Sequence, residues 1–230
     1  MNYRLIFNTM GKVLVINSIL LVIPLIVSVI YLEIAPAWAF LITAFISLAV
    51  GGLFVLTCRP KTNVMYAKEG LIIVAFAWIA VSLVGALPFT LSGEIPSYVD
   101  AVFEMVSGFT TTGASILTNV ESLSYGVHFW RSFSHWIGGM GIIMFLLMLT
   151  QFSEGHSLYI MRAEVPGPTV GKIAPKSSSN ALILYGIYSG LTIMETILLI
   201  FSGMGVFDAV TTAMSTAGTG GFSVPELVAL

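Results

Sequence analysis

Five long apolar runs dominate this sequence, and each is long enough to cross a lipid bilayer. A helix rises 1.5 Å per residue, so about 20 residues span a hydrocarbon core of about 30 Å. The first run is uncharged and exceeds the roughly 7–15 apolar residues of a signal peptide, so we interpret it as a retained membrane helix. We therefore predict an all-α integral membrane protein, with spans near residues 13–32, 37–57, 70–91, 129–152 and 181–203.

Composition supports this prediction and excludes other classes of protein. Charged residues make up 9% of the 230 residues, whereas soluble domains carry about 25%. The net charge of −2 offers no basic surface for nucleic acid. The single cysteine, Cys58, excludes an intramolecular disulfide, and no Cys/His cluster has zinc-binding spacing. A chain of this composition faces the lipid bilayer over most of its surface.

The basic residues predict which ends of the spans face the cytoplasm. Eight of the nine lie in the N-terminus, the second connection or the fourth-to-fifth connection, which five crossings place on one side. The positive-inside rule makes that side the cytoplasm, and the ninth, Arg131, begins the fourth run. We therefore expect a multi-pass protein with a cytoplasmic N-terminus. The acids of the outer segments are Glu33, Glu94, Asp100, Glu104, Glu121, Asp208 and Glu226.

Two apolar segments are too short to span the membrane, and they carry an internal repeat. Segments 99–109 and 206–217 each follow a span and end in a glycine- and threonine-rich stretch. Residues 100–115 and 208–223 align without a gap at an offset of 108, with seven of sixteen positions identical. Apolar runs of about 10–14 residues are typical of re-entrant or interfacial segments. We predict a repeated unit of helix, short descending helix, loop and helix, whose second copy stops after its loop.

The chemistry of both loops suits a dehydrated cation. Such an ion needs oxygen ligands, which extended backbone carbonyls and threonine hydroxyls supply. Glycine permits the unusual dihedrals of such a loop, and each short helix would point the negative end of its dipole at the ion. Similar stretches also serve as tight turns or close helix contacts, so one loop alone is weak support. The predicted potassium-binding residues are Thr110, Thr111, Thr112, Gly113, Gly218, Thr219, Gly220 and Gly221.

Other polar residues have structural as well as functional explanations. Asp100 and Asp208 could attract cations at the outer face, but aspartate is also a favoured helix N-cap. His128 and His135 lie seven residues apart without a third ligand, which favours hydrogen-bonded packing over metal binding. Glu195 is an intramembrane carboxylate with no visible partner. Because nucleophile and zinc motifs are absent, we predict that the protein is not an enzyme.

Two features near the fourth run remain open. The stretch Gly-Gly-Met-Gly at 138–141 indicates the close approach of another helix. Arg131 could neutralise acids at the outer face or anchor the end of a helix.

Five segments resemble the N-terminal part of the TrkH/KtrB family of bacterial potassium transport proteins, and TrkH more closely. Together they cover most of residues 65–225, and their combination is specific. The segments are EGLIIV at 69–74, VGALPF at 84–89, DAVFEMVSGFTTTGAS at 100–115, HWIGGMGII at 135–143 and RAEVPGP at 162–168.

The resemblance implies a potassium-channel-like architecture of four covalently linked helix–pore-loop–helix repeats, preceded by an N-terminal helical hairpin. It implies potassium uptake across the bacterial inner membrane, with rubidium as an analogue of potassium and no covalently bound cofactor. The loop residues around the filter glycine would coordinate the ion. It also implies a homodimer and a cytoplasmic nucleotide-binding regulatory subunit of the TrkA kind.

These inferences divide the chain into four parts. We expect the hairpin at 1–66, the first repeat at 67–155, a cytoplasmic connector at 156–179 and an incomplete second repeat at 180–230. Two loops cannot surround an ion fourfold, so we expect a piece of a protein roughly twice as long, unless several chains share one pore. The alternative is an inert fragment or a non-conducting scaffold for cytoplasmic regulators. The choice between a channel and a symporter stays open.

Overall fold

The computed structural model describes residues 2–60, 67–141 and 177–222, and the regular elements in these residues are all α-helices. Four stretches are long and apolar enough to cross a membrane, namely Tyr3–Ile30, Ile34–Thr57, Glu69–Leu91 and Leu182–Phe201. They confirm the first, second, third and fifth predicted spans, so the chain is a multi-pass membrane protein. In chain order the helices are α1 (Tyr3–Leu20), α2 (Val22–Ile30), α3 (Ile34–Thr57), α4 (Ala67–Leu91), α5 (Tyr98–Phe109), α6 (Tyr125–Met140), α7 (Ser177–Phe201) and α8 (Val206–Ala217).

The fourth predicted span is described only in part. Its first half lies in α6, and residues 142–152 fall outside the described residues. Most of the predicted connector, residues 156–176, also lies outside them. The four-part division of the chain therefore stays a prediction.

The first span begins earlier than the apolar run and is broken once. Helix α1 already includes Arg4 and Lys12, whose long side chains can extend to the membrane surface while the backbone stays helical. The break at Leu21 separates α1 from α2. Pro24 explains it, because proline has no N–H to donate to the carbonyl of Leu20. The two helices therefore form one interrupted span.

The N-terminal hairpin is held together by close backbone contact and by polar side chains. A Cβ atom added to Gly11 would collide with the carbonyl oxygen of Gly51, and the reverse also holds, so α1 and α3 cross where both residues are glycine. Beside this crossing, the buried Ser47 hydroxyl donates to the carbonyl oxygen of Leu14 over 2.8 Å. Small residues and interhelical hydrogen bonds are the usual means of helix association in lipid.

Two carboxylates fix the start of α6. Glu33 accepts hydrogen bonds from the backbone N–H groups of Tyr125, at 2.7 Å, and Gly126, at 2.9 Å. Glu94 accepts from the N–H and the hydroxyl of Ser124, which is the N-cap of α6. Burial raises the pKa of Glu94, and the two hydrogen bonds from Ser124 oppose this shift. Both acids therefore join the outer connections to one helix N-terminus, where negative charge is favourable.

The two predicted short segments form the helices α5 and α8, which begin and end 108 residues apart in sequence. This confirms both segments to within one residue. Helix α5 packs against α4 and α6, whereas α8 packs against α6 and α7. Helix α6 therefore lies between the two short helices, and both of the loops that follow them are placed beside it.

Candidate functional site

The loops after α5 and α8 share one backbone conformation. We call residues 110–113 the first loop and residues 218–221 the second loop. Thr111 and Thr219 have left-handed φ angles of 53° and 56°, and Gly113 and Gly221 have φ angles of 75° and 73°. Left-handed backbone is uncommon outside glycine and costs free energy in threonine. The same sequence of unusual dihedrals therefore occurs twice, at the offset of the sequence repeat.

The hydrogen bonds of the loops match as well. The N–H of Thr112 donates to the carbonyl oxygen of Ser107 over 2.9 Å, and the N–H of Gly220 donates to that of Ser215 over 3.0 Å. Both serine hydroxyls are buried without a hydrogen-bond partner among the described residues. Each loop therefore turns back on the last turn of its short helix in the same way.

The two loops touch each other. A Cβ atom added to Gly113 would collide with the carbonyl oxygen of Gly220. The side chains of Thr110, Thr112 and Thr219 are exposed at this meeting point. The fold thus brings the two predicted groups of four residues into contact at Gly113 and Gly220. None of these eight residues carries a charged side chain.

The first loop rests on an aromatic layer. Phe109, which is buried, lies edge-on to Trp130 at a centroid distance of 6.1 Å and tilted against Trp78 at 6.0 Å. The indole N–H of Trp130 donates to the carbonyl oxygen of Gly85 in α4 over 2.8 Å. Above this layer the hydroxyls of Thr110 and Thr112 share a hydrogen bond of 2.7 Å. The first loop therefore follows a buried aromatic residue, and two of its threonine hydroxyls bond to each other.

The second loop lies directly against α6. A Cβ atom added to Gly218 would collide with the carbonyl oxygen of His135, and one added to Gly220 would collide with the imidazole ring of the same residue. On the next turn, a Cβ atom on Gly138 would meet the carbonyl oxygen of Phe109, and one on Gly139 would meet Gly218. The predicted close approach of another helix at 138–141 is confirmed: the end of α5 lies at Gly138, and Tyr188 of α7 lies with the second loop at Gly139.

A buried ion pair joins α5 to α6, and it confirms the expectation that Arg131 neutralises one of the acids assigned to the outer segments. Glu104 is 1% exposed and pairs with Arg131, which is 2% exposed. The assignment of Glu104 to the outer-face acids misses this burial, because distance along the chain from a span does not say which way a short helix turns its side chain. A signal was present in the sequence: both residues are charged and lie within apolar segments, where charged side chains usually pair.

The two aspartates are not helix N-caps. The N-cap of α5 is Ser97, and α8 begins after Gly205 without a side-chain cap. Asp100 and Asp208 each occupy the first turn, where a carboxylate is favourable beside the positive end of the helix dipole. A role in attracting cations stays a prediction.

The histidines serve as packing residues in the described structure. His135 lies edge-on to Phe222 with ring centroids 3.9 Å apart, and its ring nitrogens have no hydrogen-bond partner among the described residues. His128 packs edge-on to Phe207 of α8 at 5.7 Å. Packing is therefore confirmed for both histidines. Glu195 is half-buried in α7. Within residues 2–60, 67–141 and 177–222, no three His, Cys, Asp or Glu side chains could hold a metal together.

Comparison with known proteins identifies the family. The family model described as TrkH, cation transport protein, matches residues 36–226. The Trk system potassium uptake protein TrkH of Escherichia coli K12 is 36% identical over 229 residues, which are 98% of this chain and 47% of that protein. An uncharacterized cation transporter of Methanocaldococcus jannaschii is 33% identical, over 95% of this chain and 45% of the relative.

A solved structure agrees with these relatives. The crystal structure of the potassium transporter TrkH from Vibrio parahaemolyticus matches with a TM-score of 0.79 and 31% identity, over 97% of this chain and 44% of that one. The chain spans about half the length of the curated relatives it matches. These relatives are transporters rather than enzymes. The chain belongs to the TrkH family of cation transport proteins.

Proposed function

We propose that the two loops line part of a pathway for potassium, and that the protein takes up potassium across the bacterial inner membrane. The observation that carries the proposal is the contact between two loops of matching backbone at Gly113 and Gly220. A single glycine-rich loop is ordinary, whereas two such loops that meet supply oxygen ligands from two sides. A dehydrated cation needs oxygens on several sides, which this geometry begins to provide.

The electrostatics of the site favour a cation. Helices α5 and α8 both end at the loops, so the negative ends of two helix dipoles meet there. The guanidinium of Arg131 is countered by the carboxylate of Glu104. The loops themselves carry no basic side chain. A monovalent cation would therefore meet partial negative charge without a strongly binding carboxylate that could trap it.

The choice of potassium rests on the relatives, several of which are potassium uptake proteins. The proposal includes a cytoplasmic N-terminus, a homodimer and a nucleotide-binding regulatory subunit of the TrkA kind. It also includes further loops to complete the ring, from the same polypeptide or from another copy.

The test is rubidium uptake by the complete natural polypeptide that contains this sequence, in cells without their own potassium uptake systems. Wild type should accumulate radioactive rubidium, and potassium should compete better than sodium. Gly113→Ala should lower uptake more than about tenfold, because it combines left-handed strain with a collision against the second loop. Gly221→Ala should lower it less, because the space around that residue is open and only its φ angle is strained.

Gly190→Ala is the matched control, because this residue of α7 has open space around it and helical dihedrals. The Gly190→Ala variant should take up as much rubidium as wild type. If both loop variants take up rubidium at the wild-type rate and with the wild-type preference over sodium, the proposal is wrong. A wild-type protein that reaches the membrane without transporting rubidium would favour the scaffold alternative.

A further inference from the structure

The ion pair between Glu104 and Arg131 is an internal link and not a surface anchor. Nε of Arg131 donates to Oε1 of Glu104 over 2.5 Å, and both side chains are almost fully buried. Burying two charges costs free energy that only good geometry and further partners offset. At membrane depth such residues are expensive and are usually functional. The further partners of this pair therefore indicate its purpose.

On one side the pair holds the first loop. The carboxylate of Glu104 accepts from the hydroxyl of Ser115 at 3.0 Å and 3.2 Å, and from the backbone N–H of Ile116 at 3.1 Å. Both residues lie just after the first loop and are separated from it by Ala114. Glu104 itself lies on α5, before the loop. One carboxylate therefore ties together the two ends of the first loop.

On the other side the pair holds the second loop. The guanidinium carbon of Arg131 lies 3.4 Å from the centroid of the Phe222 ring, which is within cation–π distance. Phe222 directly follows the second loop. His135, one turn further along α6, packs edge-on to the same ring. Two side chains on one face of α6, those of Arg131 and His135, therefore contact the end of the second loop.

We propose that Arg131 is a positioning residue that fixes the spacing between the two loops, and that this spacing sets the preference for potassium over the smaller sodium ion. The consequence for selectivity rests on the proposed function. The link runs from the first loop through Glu104 and Arg131 to Phe222 and the second loop. Arg131 does this without touching the ion, and Glu104 neutralises its charge so that it does not repel a cation.

Two conservative variants test the link with little risk to folding. Arg131→Lys keeps the charge that Glu104 needs but lacks the planar guanidinium that stacks on an aromatic ring. Phe222→Leu keeps an apolar side chain and removes the ring. Because both remove the same contact, the double variant should be no worse than the more affected single variant. Arg59→Lys, at an exposed arginine, is the control.

The first readout is the ratio of rubidium to sodium uptake by the complete polypeptide. Arg131→Lys and Phe222→Leu should each lower this ratio about tenfold while total cation uptake persists. The second readout does not need transport: it is amide hydrogen exchange of the purified protein. Arg131→Lys should speed exchange about tenfold at the backbone N–H groups of both loops, since a loosened link lets them open more often. Arg59→Lys should change neither readout.

Several results would overturn the proposal. If amide hydrogen exchange in both loops of the Arg131→Lys variant is as slow as in wild type, the link does not hold the loops in place. Equal losses of rubidium and sodium uptake, with an unchanged ratio, would show that the ion pair supports the fold alone. If wild type takes up no rubidium, the proposed function fails, and the exchange comparison still decides whether Arg131 positions the loops.

Discussion

The two loops have the same backbone but are supported from opposite ends. The first loop is preceded by a large residue, Phe109, and followed by a small one, Ala114. At the equivalent positions the second loop has Ala217 before it and Phe222 after it. Both phenylalanines pack against residues of α6, Phe109 against Trp130 and Phe222 against His135. A single helix between two matched loops presents different residues to each, so the aromatic support changes ends while the backbone stays the same.

The two loops also show that a loop position can require glycine for two different reasons. Gly113 and Gly221 have positive φ angles, so their glycines follow from the backbone conformation that the loops share. Gly218 and Gly220 stand where the first loop has Thr110 and Thr112, and both lie against His135. These glycines follow from the closeness of His135 in α6 to the second loop. Threonine hydroxyls are therefore present in the first loop at positions where the second offers backbone carbonyls only.

The largest expected effect comes from giving the second loop a side chain at Gly220. Gly220→Ala should lower rubidium uptake more than about a hundredfold, because the added methyl overlaps the imidazole of His135 and forces a tightly packed loop to move. Thr112→Ala, at the equivalent exposed position of the first loop, should lower it less than about tenfold. Radiotracer uptake by the complete polypeptide measures both.

A second substitution shows whether the collision is the cause. Removal of the imidazole in His135→Ala makes room for the added methyl, so the double variant with Gly220→Ala should transport better than Gly220→Ala alone. Such coupling is expected only between groups in contact. If the double variant is no better than the single, the glycine at 220 serves the ion and not the packing.

Sequence reasoning predicted the helices and the loops well, and for a physical reason. The short segments 99–109 and 206–217 are bounded by polar and glycine-rich residues, and their repeat at a fixed offset marks equivalent structure. The contact of Gly113 with Gly220 could not be read from it, because an offset says which residues are equivalent and not which are neighbours. The partner of Arg131 stayed open for a similar reason, since Glu104 is 27 residues away and on another helix.

The aromatic support of the first loop can be tested by making it resemble the second. Phe109→Ala places the residue of position 217 at the end of α5 and opens a cavity between Trp78 and Trp130. Removal of a buried phenylalanine costs about 3–5 kcal/mol, which corresponds to a melting temperature lower by about 10 °C. Thermal unfolding of the purified protein in detergent measures the change.

The matched control is Phe45→Ala, at a phenylalanine of α3 that is 71% exposed. Its melting temperature should fall by no more than about 2 °C. Equal losses in the two variants would mean that the aromatic layer beneath the first loop contributes nothing specific to stability.

The connections that precede the short helices differ too, and this difference gives the smallest effect. The first connection, residues 92–97, is two residues longer than the second, residues 202–205, and only the first contains a carboxylate, Glu94. This acid reaches Ser124 at the start of α6, so it joins the first repeat to the helix that both loops share. No side chain of the second connection has an equivalent contact within the described residues.

Burial raises the pKa of Glu94 above its ordinary value of 4.5, so the folded protein holds this proton more tightly than the unfolded chain does. The stability that Glu94 contributes is therefore fully present below pH 4.5 and is lost as the pH rises through the folded pKa. Glu94→Gln cannot titrate at this position. The melting temperature of wild type minus that of the variant should thus fall by about 1–2 °C between pH 4 and pH 7. A difference that grows with pH would mean that the hydrogen bonds from Ser124 outweigh the burial of the carboxylate.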